Sequence, residues 1–222
     1  MTTTDADADA DHVVATRTFY DAIAEDYAAR FRDSLSVMPL DRALMAGFAE
    51  LVGEGGRVAD LGCGPGRVTA HLASLGLAVF GLDLSEGMLA IARRENPHLR
   101  FEQGSMRSLD LPDGTLAGVV SWYSTIHTPQ DELPSLYAEF RRVLAPGGHL
   151  LLAFQSGDEP RRHDRPWGHP VTLDFRRLRP ERITALLEAA GFTLVQHTVR
   201  AADTDQGEST PQAFLIARAA TD

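Results

Sequence analysis

The sequence predicts an α/β protein built around a mostly parallel β-sheet. Short apolar segments typical of buried strands alternate with amphipathic segments of about ten residues that are typical of helices. The first strand leads directly into a glycine-rich turn and a helix, which is how parallel strands are connected. The 222 residues suffice for one domain with a full core, so we expect residues 12–222 to form a single domain.

The N-terminal part is predicted to hold an acidic tail and two helices that cap the sheet. Residues 1–11 carry four aspartates, a composition typical of a disordered tail. Residues 12–52 follow as the cap helices, and the second of these is expected at 39–51. The first has an apolar stripe at a spacing of four residues: Phe19, Ile23, Tyr27 and Phe31.

The central part alternates between strands and helices, and each is justified by its local pattern. Apolar runs bounded by glycine or turn residues predict strands at residues 57–61, 77–82, 98–102, 116–122 and 149–154. Helical periodicity predicts helices at residues 66–75, 85–94 and 133–144. Ser85 is placed to cap the second of these helices.

The C-terminal part departs from this alternation. Residues 156–172 are mostly polar and rich in proline and glycine, which predicts a long loop that forms a lid-like insertion. A short strand is expected at 171–175 and a helix at 181–190. Residues 192–199 and 213–217 are typical of two last strands, and the turn-like segment between them indicates antiparallel pairing.

The charge balance and residue usage exclude several classes of protein. Thirty-one acidic against 21 basic side chains give a net charge of −10, which argues against binding to nucleic acid. All basic residues are arginines, so a Schiff-base lysine and a P-loop lysine are excluded. The single cysteine, Cys63, excludes an internal disulfide. No apolar run suits a transmembrane helix or a signal peptide, so we expect a cytoplasmic protein with no membrane partner.

The most informative segment is residues 58–67, which read Val-Ala-Asp-Leu-Gly-Cys-Gly-Pro-Gly-Arg. A buried strand ends there in a turn with three glycines, and small residues are needed where the backbone passes close to a flat ligand. A dinucleotide-binding fingerprint would require its third glycine at position 67, which is arginine. The observed spacing instead places an acid, Asp60, two residues before the first glycine.

The segment Asp-Leu-Gly-Cys-Gly-Pro-Gly after a strand resembles the first motif of the class I, Rossmann-like S-adenosylmethionine-dependent methyltransferases of the small-molecule type. The resemblance implies a three-layer α/β sandwich whose mostly parallel, seven-stranded sheet has an antiparallel last strand. It also implies S-adenosylmethionine as the cofactor, bound outside the carboxyl ends of the strands. In this family the glycine turn packs against the methionine and ribose part of the cofactor. The acid, here Asp60, supports the turn and the amino-acid end of the ligand.

Further segments resemble the family's other cofactor contacts. Asp83 closes the second strand, where a carboxylate accepts hydrogen bonds from the ribose hydroxyl groups. Ser105 stands where the family usually has an acid at the adenine ring, so this contact departs from the pattern. A tyrosine on the N-terminal helix commonly closes over the cofactor carboxylate. The predicted cofactor-binding residues are Tyr20, Tyr27, Asp60, Gly62, Cys63, Gly64, Asp83, Leu84, Met88, Ser105, Met106 and Ser121.

The stretch that follows the fourth strand lines the methyl-transfer site in this family. His127 is the candidate catalytic residue, since the ordinary pKa of histidine suits proton transfer near neutrality. It can equally position the acceptor or pack as a neutral core residue. Trp122 and Tyr123 are predicted either to face the sulfonium by cation–π attraction or to point into the core. No metal is predicted, because the nearest set of ligand-like residues lacks a known spacing: His163, Asp164 and His169.

The lid-like insertion carries a local cluster of positive charge in an acidic protein. We predict that it contacts an anionic or aromatic small-molecule substrate through Arg161, Arg162, His163 and Trp167. The alternative is a solvated loop whose arginines offset the overall charge. The protein is expected to be a monomer or a homodimer.

These observations predict an enzyme that transfers a methyl group from S-adenosylmethionine to an oxygen or nitrogen nucleophile of a small molecule, with S-adenosylhomocysteine as product. Two alternatives use the same pocket. One is an enzyme that catalyses a cyclisation or rearrangement, and the other is a non-catalytic cofactor sensor. The composition and the small lid resemble those of enzymes of specialised metabolism.

Overall fold

The structure, a computed structural model, describes residues 11–221, in which helices cover both faces of a seven-stranded sheet. The α-helices are α1 (Asp11–Phe31), α2 (Pro39–Val52), α3 (Arg67–Ser74), α4 (Glu86–Glu95), α5 (Leu133–Val143) and α6 (Pro180–Ala189). The strands are β1 (Arg57–Leu61), β2 (Ala78–Asp83), β3 (Arg100–Gln103), β4 (Leu116–Trp122), β5 (Leu144–Gln155), β6 (Arg161–Asp164), β7 (Thr172–Phe175), β8 (Phe192–Arg200) and β9 (Gln212–Ala219). None of the helices in this part of the chain is long and apolar enough to cross a membrane.

The large sheet has the strand order β3-β2-β1-β4-β5-β9-β8. Strands β1 to β5 are parallel, and β9 runs antiparallel between β5 and β8. The predicted three-layer fold with an antiparallel last strand is therefore confirmed. The chain builds outward from β1 to β3 and then continues on the other side of β1 with β4. Open parallel sheets bind ligands at such a switch point, outside the carboxyl ends of the strands.

Side chains of the central strands enter two cores, one on each face of the sheet, because successive residues of a strand point to opposite faces. On one face, Val58 of β1 and Val120 of β4 pack in a cluster with Phe48 of α2. On the other face, Ala59 and Val119 share a cluster with helix α5. Strands covered on both faces must be apolar throughout, which explains the nearly continuous apolar runs of the sequence.

The N-terminal part of the described chain begins with helix α1. The predicted acidic tail, residues 1–11, lies outside the described residues except for Asp11, which is the first residue of α1. Helix α2 begins at Pro39, as expected, with the proline in the first helical turn, where its missing N–H is tolerated.

Helix α1 is held in place from two sides. The Asp21 carboxylate accepts hydrogen bonds from the Ser85 hydroxyl (2.6 Å) and from the Gly87 N–H (3.0 Å) at the start of α4. The first N–H groups of a helix lack intrahelical partners and favour a negative charge, so Asp21 stabilises this junction. On the other side, Phe19 meets Phe175 of β7 edge to face, with 5.8 Å between the ring centroids.

The lid-like insertion contains a β-hairpin where the sequence predicted an irregular loop. Strand β6 pairs antiparallel with β7, so the loop prediction is wrong over Arg161–Asp164. The residues of β6 are polar and carry little strand signal, and the pairing partner decides their conformation. The hairpin segment also reaches α1 through His169, whose Nε2 lies 2.7 Å from the Asp26 carboxylate.

Asp21→Ala should lower the free energy of unfolding by about 1–2 kcal/mol, because it removes the acceptor for Ser85 and Gly87 at the start of α4. Urea unfolding followed by circular dichroism measures the change. Glu25→Ala on the same helix is the control, since its ion pair with Arg94 (2.9 Å) is exposed and screened by solvent. Equal effects of the two variants would contradict the anchoring role of Asp21.

Candidate functional site

The turn between β1 and α3 depends on glycines. Gly62 has a φ of 74° and Gly64 a φ of 54°, a region that L side chains rarely adopt. A Cβ atom on Gly62 would clash with the side chain of Ser124, whereas one on Gly64 would meet no atom within 4 Å. The Gly62 N–H donates to the carbonyl of Leu82 (2.7 Å), which ties the turn to β2.

A cavity lies at the carboxyl ends of β1, β2 and β4 and is covered by α1. The space it spans is about 780 Å³ with the open solvent at its mouth included. The glycine turn, the segment after β2 and Met106 form one end. Helix α1 and the segment after β4 form the other, together with Arg107, whose ion pair with Glu132 holds it there. The predicted site residues on its wall are Tyr20, Tyr27, Gly62, Gly64, Asp83, Leu84, Met88, Met106, Trp122, Tyr123 and His127.

Asp83 stands at the end of β2 with its half-buried carboxylate at the cavity. Its Oδ2 accepts a hydrogen bond from the Gly64 N–H (2.8 Å), and its Oδ1 accepts one from the Ser85 N–H (2.9 Å). Burial raises the pKa of Asp83, and these backbone donors oppose the shift. Each oxygen can still accept a further hydrogen bond, so the carboxylate can bind a vicinal diol.

Apolar side chains beside Asp83 form a wall that suits a flat ring. Leu84 precedes α4, Met88 lies in its first turn, and Met106 comes from the segment after β3. The Met88 N–H donates to Ser85 Oγ (3.1 Å), which confirms Ser85 as the N-cap of α4. This cap fixes the start of the helix and therefore the position of the wall.

The structure places Asp60 behind the cavity wall. It is buried, and its Oδ2 accepts a hydrogen bond from the Thr69 hydroxyl (2.6 Å), which ties β1 to α3 beneath the turn. Burial raises the pKa of Asp60 to about 7. Asp60 therefore supports the glycine turn without lining the cavity, in contrast to its prediction as a cofactor contact.

Three other residues predicted to bind the cofactor also stay off the wall: Cys63, Ser105 and Ser121. The Cys63 thiol packs in an apolar cluster with Phe101. Ser121 is buried and donates to Ser124 Oγ (2.6 Å), whose own proton is donated to a carbonyl of β1. Ser105 accepts a hydrogen bond from a backbone N–H in its own turn. These three side chains therefore contact neighbouring protein groups and do not face the cavity.

A hydrogen bond between α1 and the segment after β4 spans the other end of the cavity. Tyr20 Oη lies 2.9 Å from Nε2 of His127, which is buried in a 3₁₀ turn. Burial, together with the neighbouring Arg176 and His163, lowers the pKa of His127 to about 3. The imidazole is therefore neutral at physiological pH. It can share hydrogen bonds, but it is poorly suited to accept a proton near neutrality.

Tyr123 follows β4 in a strained conformation. Its φ of 59° lies in the left-handed region, which is uncommon for a bulky side chain. Its N–H donates to the Ala153 carbonyl (2.8 Å), so pairing with β5 enforces the conformation. Trp122 lines the cavity too, and its ring also packs against Phe214 of the core with 5.4 Å between ring centroids. Such strain persists only where the surroundings impose it, often at functional sites.

Four residues predicted to contact the substrate do not line the cavity: Arg161, Arg162, His163 and Trp167. Arg162 is exposed on β6 and lies 3.5 Å from Asp174 of the paired strand. His163 packs on the Phe175 ring (4.2 Å between centroids), which in turn meets the His127 ring (4.9 Å). Hairpin pairing leaves both arginines exposed to solvent. The hairpin packs against His127 through Phe175, which lies outside the cavity.

The cavity wall also includes residues that the sequence did not indicate: His12, Thr16, Arg17, Arg107 and Thr128. Three of these precede Tyr20 on α1 at helical spacing, which is the signal that could have found them. Arg107 directly follows Met106, but an arginine in a connecting segment has no local signal that tells which way it points.

Comparisons with known proteins agree on one kind of domain. Residues 58–148 match a family model described as a methyltransferase domain. The chain is 40% identical over 112 residues to a trans-aconitate 2-methyltransferase of Methylobacterium nodulans, with 48% of this chain and 41% of that protein covered. It is 34% identical over 153 residues to the trans-aconitate 2-methyltransferase of Variovorax paradoxus, with 63% and 55% covered. The chain thus spans about half the length of these curated relatives.

A solved structure shows the same fold. It is the magnesium protoporphyrin IX methyltransferase from Synechocystis PCC 6803 with bound S-adenosylmethionine. The TM-score is 0.72 at 18% identity, and the match covers 96% of this chain and 100% of that one.

His127→Gln should weaken the pH dependence of stability. The unfolded chain protonates this histidine near pH 6.5, whereas the folded chain does so only near pH 3. Its contribution to stability is therefore complete above about pH 6.5 and is lost as the pH falls toward 3. When the pH is lowered from about 7.5 to about 5, the free energy of unfolding of the wild type should fall by about 2 kcal/mol more than that of the variant. Urea unfolding at the two pH values measures the difference.

His98→Gln is the control for this measurement. His98 is exposed, so its replacement should leave the wild-type loss on acidification unchanged. If acidification lowered the free energy of unfolding of the His127 variant as much as that of the wild type, His127 would not be buried in its neutral form.

Proposed function

This chain belongs to the class I, Rossmann-like S-adenosylmethionine-dependent methyltransferases, and we propose that it transfers a methyl group from S-adenosylmethionine to an oxygen or nitrogen nucleophile of a small molecule. One observation carries the proposal. A single cavity has Gly64 and Asp83 at one end and the Tyr20–His127 pair at the other. A cofactor and an acceptor bound at these two ends would lie side by side.

The residues at the first end fit the cofactor. The open space at Gly64 leaves its backbone accessible to a ligand, because nothing would meet even a Cβ atom there. The Asp83 carboxylate has lone pairs left for the ribose diol. The apolar wall beside it suits the adenine ring, with Leu84, Met88 and Met106. When bound, S-adenosylmethionine supplies a methyl group that its sulfonium charge activates for direct displacement.

The residues at the second end align the acceptor and exclude water. Direct displacement needs the nucleophile in line with the methyl group, so catalysis consists largely of positioning. Helix α1 covers the cavity, and Tyr20 places a hydroxyl beside His127 where an acceptor would lie. Because His127 is neutral, its role in this proposal is to hold the acceptor by a hydrogen bond.

The relatives support a small-molecule acceptor. Both curated relatives named above are trans-aconitate 2-methyltransferases, and trans-aconitate is a small organic acid. The net charge of −10 is unfavourable for nucleic-acid substrates. A small-molecule acceptor therefore agrees with the charge of the chain.

Asp83→Ala should weaken binding of S-adenosylmethionine and S-adenosylhomocysteine by about 1.5–3 kcal/mol, the range for lost hydrogen bonds to a charged group. Calorimetric titration measures the loss. Asp83→Asn keeps the shape of the side chain and should also weaken binding, which separates the effect from misfolding. The exposed Asp131→Ala is the control and should bind as the wild type does. A wild type that binds neither ligand would refute the cofactor site.

Gly64→Ala should abolish most cofactor binding at a modest loss of stability, because its methyl group would occupy the cavity wall. Gly55→Ala is the matched control: Gly55 also has a positive φ (71°) and open space, but it lies away from the cavity. Both should lose about 1 kcal/mol of stability, and only the first should lose binding. Equal binding by the two variants would contradict the role of the turn.

A further inference from the structure

Basic side chains line the acceptor end of the cavity. Arg17 and Arg107 lie on the wall together with His12, and within residues 11–221 the one carboxylate on the wall, Asp83, stands at the cofactor end. The chain as a whole has a net charge of −10, so the sign of the charge is reversed locally. A cleft lined by charges of one sign concentrates ligands of the opposite sign. This end of the cavity therefore favours an anion.

Arg176 adds positive charge from behind the wall. Its Nη1 donates to the backbone carbonyl of His127 (2.9 Å), which holds the guanidinium next to the Tyr20–His127 pair. Burial lowers the pKa of His12, the charge of Glu132 raises it, and the charges of Arg107 and Arg176 lower it. The fields of these two arginines therefore overlap at the acceptor end.

Two carboxylates offset part of this charge, and one of them is Asp83, whose charge raises the pKa of Tyr20. Glu132 Oε2 lies 2.6 Å from Arg107 Nη2 and 3.7 Å from His12 Nε2, but Glu132 does not line the cavity. A guanidinium has five N–H donors in a planar fork. Arg107 can therefore keep its ion pair on one side and bind a second carboxylate on the other.

The Tyr20–His127 pair offers hydrogen bonds to an anion. The pair shares one bond through Nε2, and Nδ1 of the buried His127 has no hydrogen-bond partner. When Nε2 carries the imidazole proton and donates it to Tyr20 Oη, the Tyr20 hydroxyl keeps its own proton. A ligand oxygen can accept that proton from Tyr20, which lines the cavity, whereas Nδ1 is shut off from it.

We infer that the acceptor is a small organic acid whose carboxylate is held by Arg107 and the Tyr20–His127 pair and is methylated on oxygen. The inference rests on the proposed function and specifies its substrate class. A carboxylate is already ionised at neutral pH, since its ordinary pKa is about 4. It arrives as the nucleophile and needs no base from the protein.

The step balances without proton transfer. A lone pair of the carboxylate oxygen forms the C–O bond to the methyl carbon as the C–S bond of the cofactor breaks, and the bonding electrons stay on sulfur. The carboxylate becomes a neutral methyl ester, and the sulfonium becomes a neutral thioether. A phenol, alcohol or ammonium group would have to lose a proton, and neutral His127 with a pKa of about 3 is poorly suited to take it.

Calorimetric titration of the full chain saturated with S-adenosylhomocysteine tests the acceptor site without turnover. The probes are trans-aconitate and phenylacetate, compared with the neutral trimethyl trans-aconitate and phenylacetamide. At least one carboxylate should bind about tenfold or more tightly than its neutral counterpart, because its hydrogen bonds are charge-assisted. Absence of any preference for the carboxylates would overturn the inference.

Two variants of one ion pair provide matched controls. Arg107→Gln should weaken binding of the carboxylate probe about tenfold or more. Glu132→Gln breaks the same ion pair but keeps the guanidinium, so binding should be unchanged or tighter. Equal weakening by the two variants would mean that Arg107 acts only through the structure of its ion pair, and this would overturn the assignment.

A transfer assay with methyl-labelled S-adenosylmethionine identifies the accepting atom. The acceptors are the two carboxylates, with phenol and benzylamine as protonated nucleophiles. We expect label on a carboxylate probe that mild alkali releases as methanol, as a methyl ester requires. Alkali-stable label on phenol or benzylamine, or no transfer to a carboxylate that binds, would overturn the inference and leave cofactor binding intact. Failure of S-adenosylmethionine to bind would instead refute the proposed function.

Discussion

The Asp83 carboxylate joins two stretches of backbone whose N–H groups would otherwise lack partners at the edge of the sheet. Through Gly64 it holds the glycine turn, and through Ser85 it holds the start of α4. The Ser85 hydroxyl donates to Asp21, so the position of α1 follows from the same series of bonds. The turn, the apolar wall and the cover of the cavity are therefore coupled, and a change at one side chain is felt by all three.

The two ends of the cavity differ in charge, and this difference suits the two partners of a methyl transfer. Asp83 places negative charge where the sugar of the cofactor would bind, and Arg107 with Arg176 places positive charge where the acceptor would bind. Because the chain as a whole is acidic, the positive field of these arginines is confined to this end of the cavity. Long-range attraction is screened within about 8 Å at physiological salt, so the arginines act on a ligand near the mouth of the cavity.

Some features that a stable core disfavours lie at this cavity or directly behind its wall. Tyr123 has a left-handed backbone, Nδ1 of His127 is buried without a partner, and Oδ1 of Asp60 is also unpaired. Each is imposed by packing from several elements, since the surrounding strands and helices leave no alternative position. Proteins tend to tolerate such costs where a ligand or a reaction needs them, and rarely elsewhere.

The sequence by itself determined the order of strands and helices, the glycine turn after β1 and the acid at the end of β2. These follow from short-range effects: side-chain periodicity, the backbone freedom of glycine and the position of Asp83 in its strand. Only the tertiary structure decided that β6 pairs with β7 and that Arg107 lines the cavity. It also decided that His127 is buried and neutral beside Tyr20. The reason is physical, because strand pairing, burial and the field of distant charges arise from residues far apart in the chain.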